Sequence, residues 1–277
     1  MLKHVTPSVA SDLLRRHDLR AGVRHGQHFL VDPNTVRKIV RIADVQPDET
    51  ILEIGPGIGS LTVALSEAAR RVVAVEIDTH VAEALREVIA ESSNVELVLG
   101  DAMSIDVDGL LGEPARIVAN LPYNVATPLF VRLLESVPFV AGGVVMVQKE
   151  LGERWTASPG SRTYGSVSVK IAYRADARIV GEIPKTVFMP PPKVESVLVG
   201  FTRWSSPPAD VGDERAFFRL VTDAFAHRRK TLRNSLVASG RDLALVERAL
   251  AGAEIADRAR PEDLSLEQYA RLHDAIA

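Results

Sequence analysis

From Thr50 onward the chain alternates between two kinds of stretch. TILEIG, RVVAVEID, VELVLGD and ARIVANLP are short, almost unbroken runs of Val, Ile, Leu and Ala. SLTVALSEAA and THVAEALREVIAE between them carry helical periodicity. Apolar runs of that length suit strands covered on both faces, and helical spacers between them suit parallel crossovers. The pattern predicts an α/β fold built on a parallel sheet. VRLLESV and GGVVMVQKE continue it as a helix and a strand. VSVKIAYRADARIVGEI and ESVLVGFTRW are expected as further strands, antiparallel and closing the sheet. TRWSSPPADVGDE has linker composition, and everything from Arg215 is helical in pattern. The expected division is an N-terminal basic arm over 1–30, an α/β domain over 31–204 and a small all-helical domain over 215–277. Asp32-Pro33-Asn34 is expected to open a helix whose apolar face is Val36, Ile39, Val40 and Ala43.

Of the 277 residues none is cysteine, which removes disulfides, thiolate metal sites and cysteine nucleophiles; no metal is expected. The N-terminus is polar and charged, without a signal-peptide core, and no run approaches the roughly 20 apolar residues of a membrane span, so no membrane partner and a cytoplasmic location are expected. The net charge of −3 hides an asymmetry. Residues 31–113 carry 6 Lys/Arg against 16 Asp/Glu, whereas 151–203 carry 8 against 4, 215–233 carry 6 against 1, and 1–30 carry 5 against 2. The basic flanks are either solvated faces or the side that meets a polyanion.

The strongest local signal is Leu52-Glu53-Ile54-Gly55-Pro56-Gly57-Ile58-Gly59, between a predicted strand and a predicted helix. Glycines there let the backbone turn sharply and approach a ligand closely. The loop alone suits a dinucleotide, S-adenosylmethionine or a plain tight turn. Glu53 favours S-adenosylmethionine, because a carboxylate attracts its sulfonium and repels a pyrophosphate. Glu76, at the end of the next strand, is placed to accept ribose hydroxyls from either ligand. Asp101, in Gly100-Asp101-Ala102, reads equally as an acceptor for an adenine amino group and as a turn cap.

Asn120-Leu121-Pro122-Tyr123 follows the fourth strand. An adenine exocyclic amine is a poor nucleophile, because its lone pair is delocalised into the ring. Acceptors that hold its hydrogens turn the lone pair outward, and the Asn120 side-chain carbonyl and the Leu121 main-chain carbonyl are suited to that. Pro122 stiffens the turn and Tyr123 offers a flat face for a base. The plain alternative is a β-turn with an Asx cap.

Taken together these motifs resemble the ribosomal RNA adenine dimethylase family, of the KsgA/RsmA type. The resemblance runs through GQHFL (26–30), EIGPGIGSLT (53–62), VEID (75–78), GDA (100–102), NLPY (120–123), QKE (148–150), RTYGSVSV (162–169), VFMPPPKVES (187–196), RRKTLRNSL (228–236) and RPEDLSLEQYARL. It implies a Rossmann-like S-adenosylmethionine-dependent methyltransferase domain with a small all-helical C-terminal domain. It implies transfer of four methyl groups to N6 of two adjacent adenosines in the 3′-terminal hairpin of small-subunit (16S) rRNA. The substrate it implies is an assembling small ribosomal subunit, met by a monomer. By position, His28, Leu30, Gly55, Glu76, Asp101 and Asn120 would bind the cofactor, with Glu53, Gly57 and Ala102 beside them. Asn120 and Tyr123 would serve the base, and Phe188 would stack on its opposite side. Outside the family context Phe188 reads as a core aromatic beside a proline-rich turn. His28 stands where the family commonly has Asn.

His227–Arg233 is expected to form an amphipathic helix, with Phe225, Leu232 and Leu236 inward and Arg228, Arg229, Lys230 and Arg233 outward toward RNA phosphates. Arg15, Arg16, Arg20 and Arg24 of the arm are expected to add to that surface. Competing readings are a large-subunit rRNA methyltransferase of the antibiotic-resistance type, a non-catalytic assembly or transcription factor, and a methyltransferase for a small molecule or a protein glutamine.

Overall fold

The computed structural model describes residues 4–19, 28–227 and 229–276. Arg20, Arg24, Gly26 and Arg228 lie outside them. Along the chain run α1 (Pro7–Arg16), β1 (Phe29–Leu30), α2 (Pro33–Ala43), β2 (Thr50–Ile54), α3 (Ser60–Ala68), β3 (Arg71–Glu76), α4 (Thr79–Val88), β4 (Val95–Leu99), α5 (Val107–Leu111), β5 (Ala115–Asn120), α6 (Ala126–Ser136) and β6 (Val140–Gln148). There follow α7 (Lys149–Trp155), α8 (Ser166–Arg174), β7 (Ala175–Ile183), β8 (Phe188–Met189), β9 (Ser196–Arg203), α9 (Glu214–Phe225), α10 (Leu232–Ala238), α11 (Leu243–Gly252) and α12 (Leu266–Ile276).

Seven strands form one sheet in the order β4-β3-β2-β5-β6-β9-β7. β2 is parallel to both β3 and β5, β3 to β4 and β5 to β6, whereas β9 runs antiparallel to β6. All five residues of β2 are buried, which is what a central parallel strand requires. Because β2 to β5 are parallel, their carboxyl ends and the loops that follow them share one edge. The chain steps from β2 to one side for β3 and β4, then to the other for β5, and a crevice opens at that reversal.

Asp32 caps α2 by accepting the Thr35 N–H at 2.8 Å, and Val36, Ile39 and Ala43 are buried as the sequence requires. α1 is no loose arm. Its Leu13 and Leu14 join a core cluster with Phe29, Ile58, Val81 and Val88. Arg15 pairs with Asp12, and Arg16 pairs with Asp12 and Glu87, all with exposed side chains.

The chain divides into two compact units, residues 1–152 with 178–203 and residues 153–177 with 204–277. This differs from the expected boundaries at 31–204 and 215–277. The difference lies in α8, expected as strand. Its Val-Ser-Val-Lys-Ile-Ala-Tyr alternation imitates a half-buried strand. The helical core decides otherwise: Val169 and Tyr173, one turn apart, are buried with Phe217, Leu220 and Leu272. Ser168 accepts the Gly165 N–H at 3.0 Å and donates to the Arg154 carbonyl, fixing the helix start. A second difference is that α9 ends at Phe225 and α10 begins only at Leu232, capped by Thr231, so Arg229 and Lys230 lie between two helices and not on one. Among the described residues no helix is long and apolar enough to cross a membrane.

Candidate active site

A cavity of about 250 Å³ opens at the carboxyl edge of β2, β3, β4 and β5. It brings together His28, Leu30, Glu53, Gly55, Gly57, Glu76, Asp101, Ala102, Asn120, Leu121, Pro122 and Tyr123, which are spread over more than ninety residues of sequence.

The glycine loop makes the floor. Gly55 has φ +70°, and a Cβ there would stand 3.3 Å from Pro122 Cγ. Gly57 has φ +59°, and a Cβ would meet Phe29 Cδ1 at 3.0 Å. Both conformations strain any side chain, and each added Cβ would press on its neighbour. Glu76 is held rigidly: one carboxyl oxygen accepts the Gly57 N–H at 3.2 Å, and the other accepts those of Ile77 and Asp78 at 3.0 Å each. Burial raises its pKa, and the three amide bonds oppose that rise. With one amide on Oε2, a lone pair remains for a ligand hydroxyl.

Glu53 is 1% exposed, and its Oε2 has no partner. Burial drives its pKa up to about 8; the Thr62 hydroxyl pulls it down and the Glu76 carboxylate pushes it up.

At the end of β5 the Asn120 amide donates from Nδ2 to the His28 carbonyl at 3.4 Å, while its Oδ1 is buried without a partner. Leu121 N–H donates to the Met146 carbonyl at 3.1 Å, anchoring the turn to β6, and Val125 N–H closes it on the Pro122 carbonyl. Tyr123 shares a 2.7 Å hydrogen bond with the Ser196 hydroxyl, and burial raises its pKa. The His28 ring lies 5.6 Å from the Tyr123 ring at 32°. A carbonyl only accepts, so His28 donates from Nδ1 to the Pro190 carbonyl at 2.8 Å.

Asp101 does cap its turn, accepting the Met103 N–H on Oδ1 at 2.8 Å, and it is exposed at the cavity rim. Arg132 of α6 holds this loop from below, donating to the Ala102 and Ile105 carbonyls at 2.9 and 3.0 Å. Sequence reasoning missed Arg132, because one arginine on an amphipathic helix carries no local mark of a long-range contact. It also missed Ile77, which lines the cavity and is 64% exposed; the signal was a large apolar residue between two carboxylates in VEID.

Two groups of expected site residues lie away from this cavity. Phe188 does not line the cavity; it is 3% exposed, pairs with Leu30 across the short β1–β8 ribbon and packs with Val36 and Leu198. The ribbon's alternation turns its ring into the core. Of the four expected phosphate ligands, Arg229 and Lys230 are exposed in the turn after α9. Arg233, on α10, is tied to Glu247 at 2.5 Å, and Arg228 lies outside the described residues. Among the described residues no group of three or more His, Cys, Asp or Glu is placed to hold a metal ion.

The family model described as Ribosomal RNA adenine dimethylase matches residues 19–277. The chain belongs to the ribosomal RNA adenine dimethylase family. Relatives within this dimethylase group are named Ribosomal RNA small subunit methyltransferase A. That of Leifsonia xyli subsp. xyli is 44% identical over 98% of both chains. That of Kineococcus radiotolerans is 46% identical over 94% of this chain and 88% of its own. Among solved structures, the 23S rRNA methyltransferase ErmE matches with a TM-score of 0.70 and 27% identity, covering 90% of this chain and 99% of its own. A dimethyladenosine transferase from Plasmodium falciparum shares the fold, with a TM-score of 0.72 and 24% identity over 88% of this chain and 96% of its own. The dimethylase fold is the Rossmann-like methyltransferase arrangement with a helical C-terminal region, as the sequence implied.

Proposed function

We propose that this protein is the S-adenosylmethionine-dependent adenine N6,N6-dimethyltransferase of small-subunit rRNA. It transfers four methyl groups to two adjacent adenosines in the 3′-terminal hairpin of 16S rRNA, acts as a monomer on an assembling small subunit in the cytoplasm, and thereby serves ribosome biogenesis. The observation that carries this reading is Asn120 Oδ1, a buried acceptor without a partner on the cavity wall beside Tyr123.

The residues present fit the cofactor. Glu76 keeps acceptor capacity for a ribose, Glu53 offers an unmatched carboxyl oxygen, and Gly55 and Gly57 hold a positive-φ turn on the cavity wall, close against Pro122 and Phe29. Leu30, Ala102 and His28 line the same space, with Asp101 at its rim. When bound, the cofactor supplies an electrophilic methyl on a sulfonium whose departure needs no protonation. The protein's part is to present the amine. Asn120 Oδ1 and the Leu121 carbonyl accept the amine hydrogens and turn the nitrogen lone pair outward, and Tyr123, braced by Ser196, supports the base. Pro122 holds the two acceptors in one turn.

The relatives' names favour the small subunit. Exposed Arg229 and Lys230 suit contacts to RNA phosphates. A second reading, methylation of large-subunit rRNA, is favoured by the likeness to ErmE. Expression in a macrolide-sensitive host separates the two. The small-subunit enzyme leaves the host sensitive, and a resistant host would replace the proposal with the second reading.

A further inference from the structure

The walls of the cavity carry three carboxyl groups, Glu53, Glu76 and Asp101, and among the described residues no lysine or arginine. Glu76 is neutralised in part by three main-chain amides, and Asp101 is exposed to water. Glu53 has neither help. Its Oε2 is buried without a partner, and the polar side chain that approaches the carboxyl is the hydroxyl of Thr62, fully buried on α3. The titratable group on the next strand, Glu76, carries the same sign of charge; β5 brings only the neutral Asn120 to the cavity, and the segment before β1 brings His28. An ionised carboxylate so placed lacks both water and a counter-ion.

We infer that Glu53 is a proton-exchanging counter-ion: a neutral acid in the free protein that ionises when a cationic ligand enters the cavity. On binding, the carboxyl O–H bond breaks, the electron pair stays on the carboxylate and the proton passes to the buffer. The pKa of about 8 in the empty site agrees with a neutral acid at pH 7. The inference rests on the proposed cofactor, S-adenosylmethionine, whose sulfonium and ammonium groups supply the positive charge the walls lack. Affinity for it then falls as the solution becomes more acid, by about tenfold per pH unit below the free-site pKa.

Calorimetry of S-adenosylmethionine binding to the full chain at pH 7, in buffers of different ionisation enthalpy, counts the protons released. Wild-type protein is expected to release about one proton, and Glu53→Gln none, with an affinity that no longer varies with pH. In parallel, the carboxyl ¹³C signal of Glu53 in free wild-type protein reads its ionisation without any variant having to fold. It is expected in the neutral position at pH 7. Binding without proton release, proton release that persists in Glu53→Gln, or an ionised Glu53 signal at pH 7 would each overturn the inference while leaving the cofactor reading standing. No binding of S-adenosylmethionine at all would overturn both.

Discussion

The Asn120 amide donates to the main-chain oxygen of His28, and this one bond decides which way the amide faces. With Nδ2 committed, Oδ1 is left buried and unmatched at the cavity wall. A buried acceptor without a partner is destabilising in the empty site and becomes useful when a donor arrives. An exocyclic amine brings such a donor. The residue just before β1 therefore aims the residue at the end of β5 that the reaction needs.

Asn120→Ala removes that acceptor. Methyl transfer is expected to fall by about 100-fold to 1000-fold, in line with the loss of one oriented polar group in other active sites. The melting temperature should stay within a few degrees of wild type, because the deleted amide was only half satisfied. Single-turnover rates with saturating cofactor measure the first quantity, and full methylation by the variant would contradict the assigned role.

Tyr123 separates into a ring and a hydroxyl. Tyr123→Phe loses the 2.7 Å bond to Ser196 and keeps the face, so kcat/KM should drop only a few-fold. Tyr123→Ala loses the face as well and should fall by about 10-fold to 100-fold, the usual worth of one aromatic–base stack. Equal losses in the two variants would show that the hydroxyl, and not the face, matters.

Stability should report Glu53 directly. Its carboxyl pKa is raised from 4.5 in an unfolded chain to about 8 in the folded protein. Between those values the folded state holds a proton that the unfolded state has lost, so this contribution is full below pH 4.5 and is lost as pH rises through 8. Glu53→Gln stays neutral throughout. Its melting temperature should therefore exceed that of wild type at about pH 8.5, and the gap should shrink toward about pH 5. A gap that does not change with pH would show that burial does not set the ionisation.

The sheet was legible because β2, β3 and β5 are covered on both faces and had to be written as unbroken apolar runs. The loop glycines and NLPY were legible because turns and close approaches restrict residue type locally. α8 and the basic turn were misread for a shared reason. Each depends on packing partners far along the chain: Phe217 for α8, and the core residues Leu232 and Leu236 that start α10 late. Arg203 belongs to the same class. It looks like the end of a strand, yet it donates to the carbonyls of Leu133, Leu134, Val137 and Val140 and so caps the end of α6.

Arg203→Met removes four hydrogen bonds at once, although the Leu133 and Val137 carbonyls keep the main-chain N–H donors of Val137 and Val140. A loss of about 2–4 kcal/mol of unfolding free energy is expected, the scale for several charge-assisted hydrogen bonds removed together. Chemical denaturation measures it. A change within about 0.5 kcal/mol, as at ordinary surface sites, would mean that water caps the helix equally well.

Arg229 and Lys230 are exposed in the turn between α9 and α10. Reversing both charges should weaken RNA binding and lower the slope of log affinity against log salt by about 0.7–0.9 for each phosphate that is no longer neutralised. S-adenosylmethionine binding should not change. An unaltered salt slope would remove this turn from the RNA surface.

The reaction itself is the most direct test. Small subunits lacking the 3′-terminal modification, incubated with the protein and labelled S-adenosylmethionine, can be digested and their labelled nucleosides identified by mass. Dimethyladenosine at two adjacent adenosines of 16S rRNA, lost in Asn120→Ala, is the predicted result. Label appearing only in large-subunit RNA, or in no RNA by a protein that binds the cofactor, would contradict it.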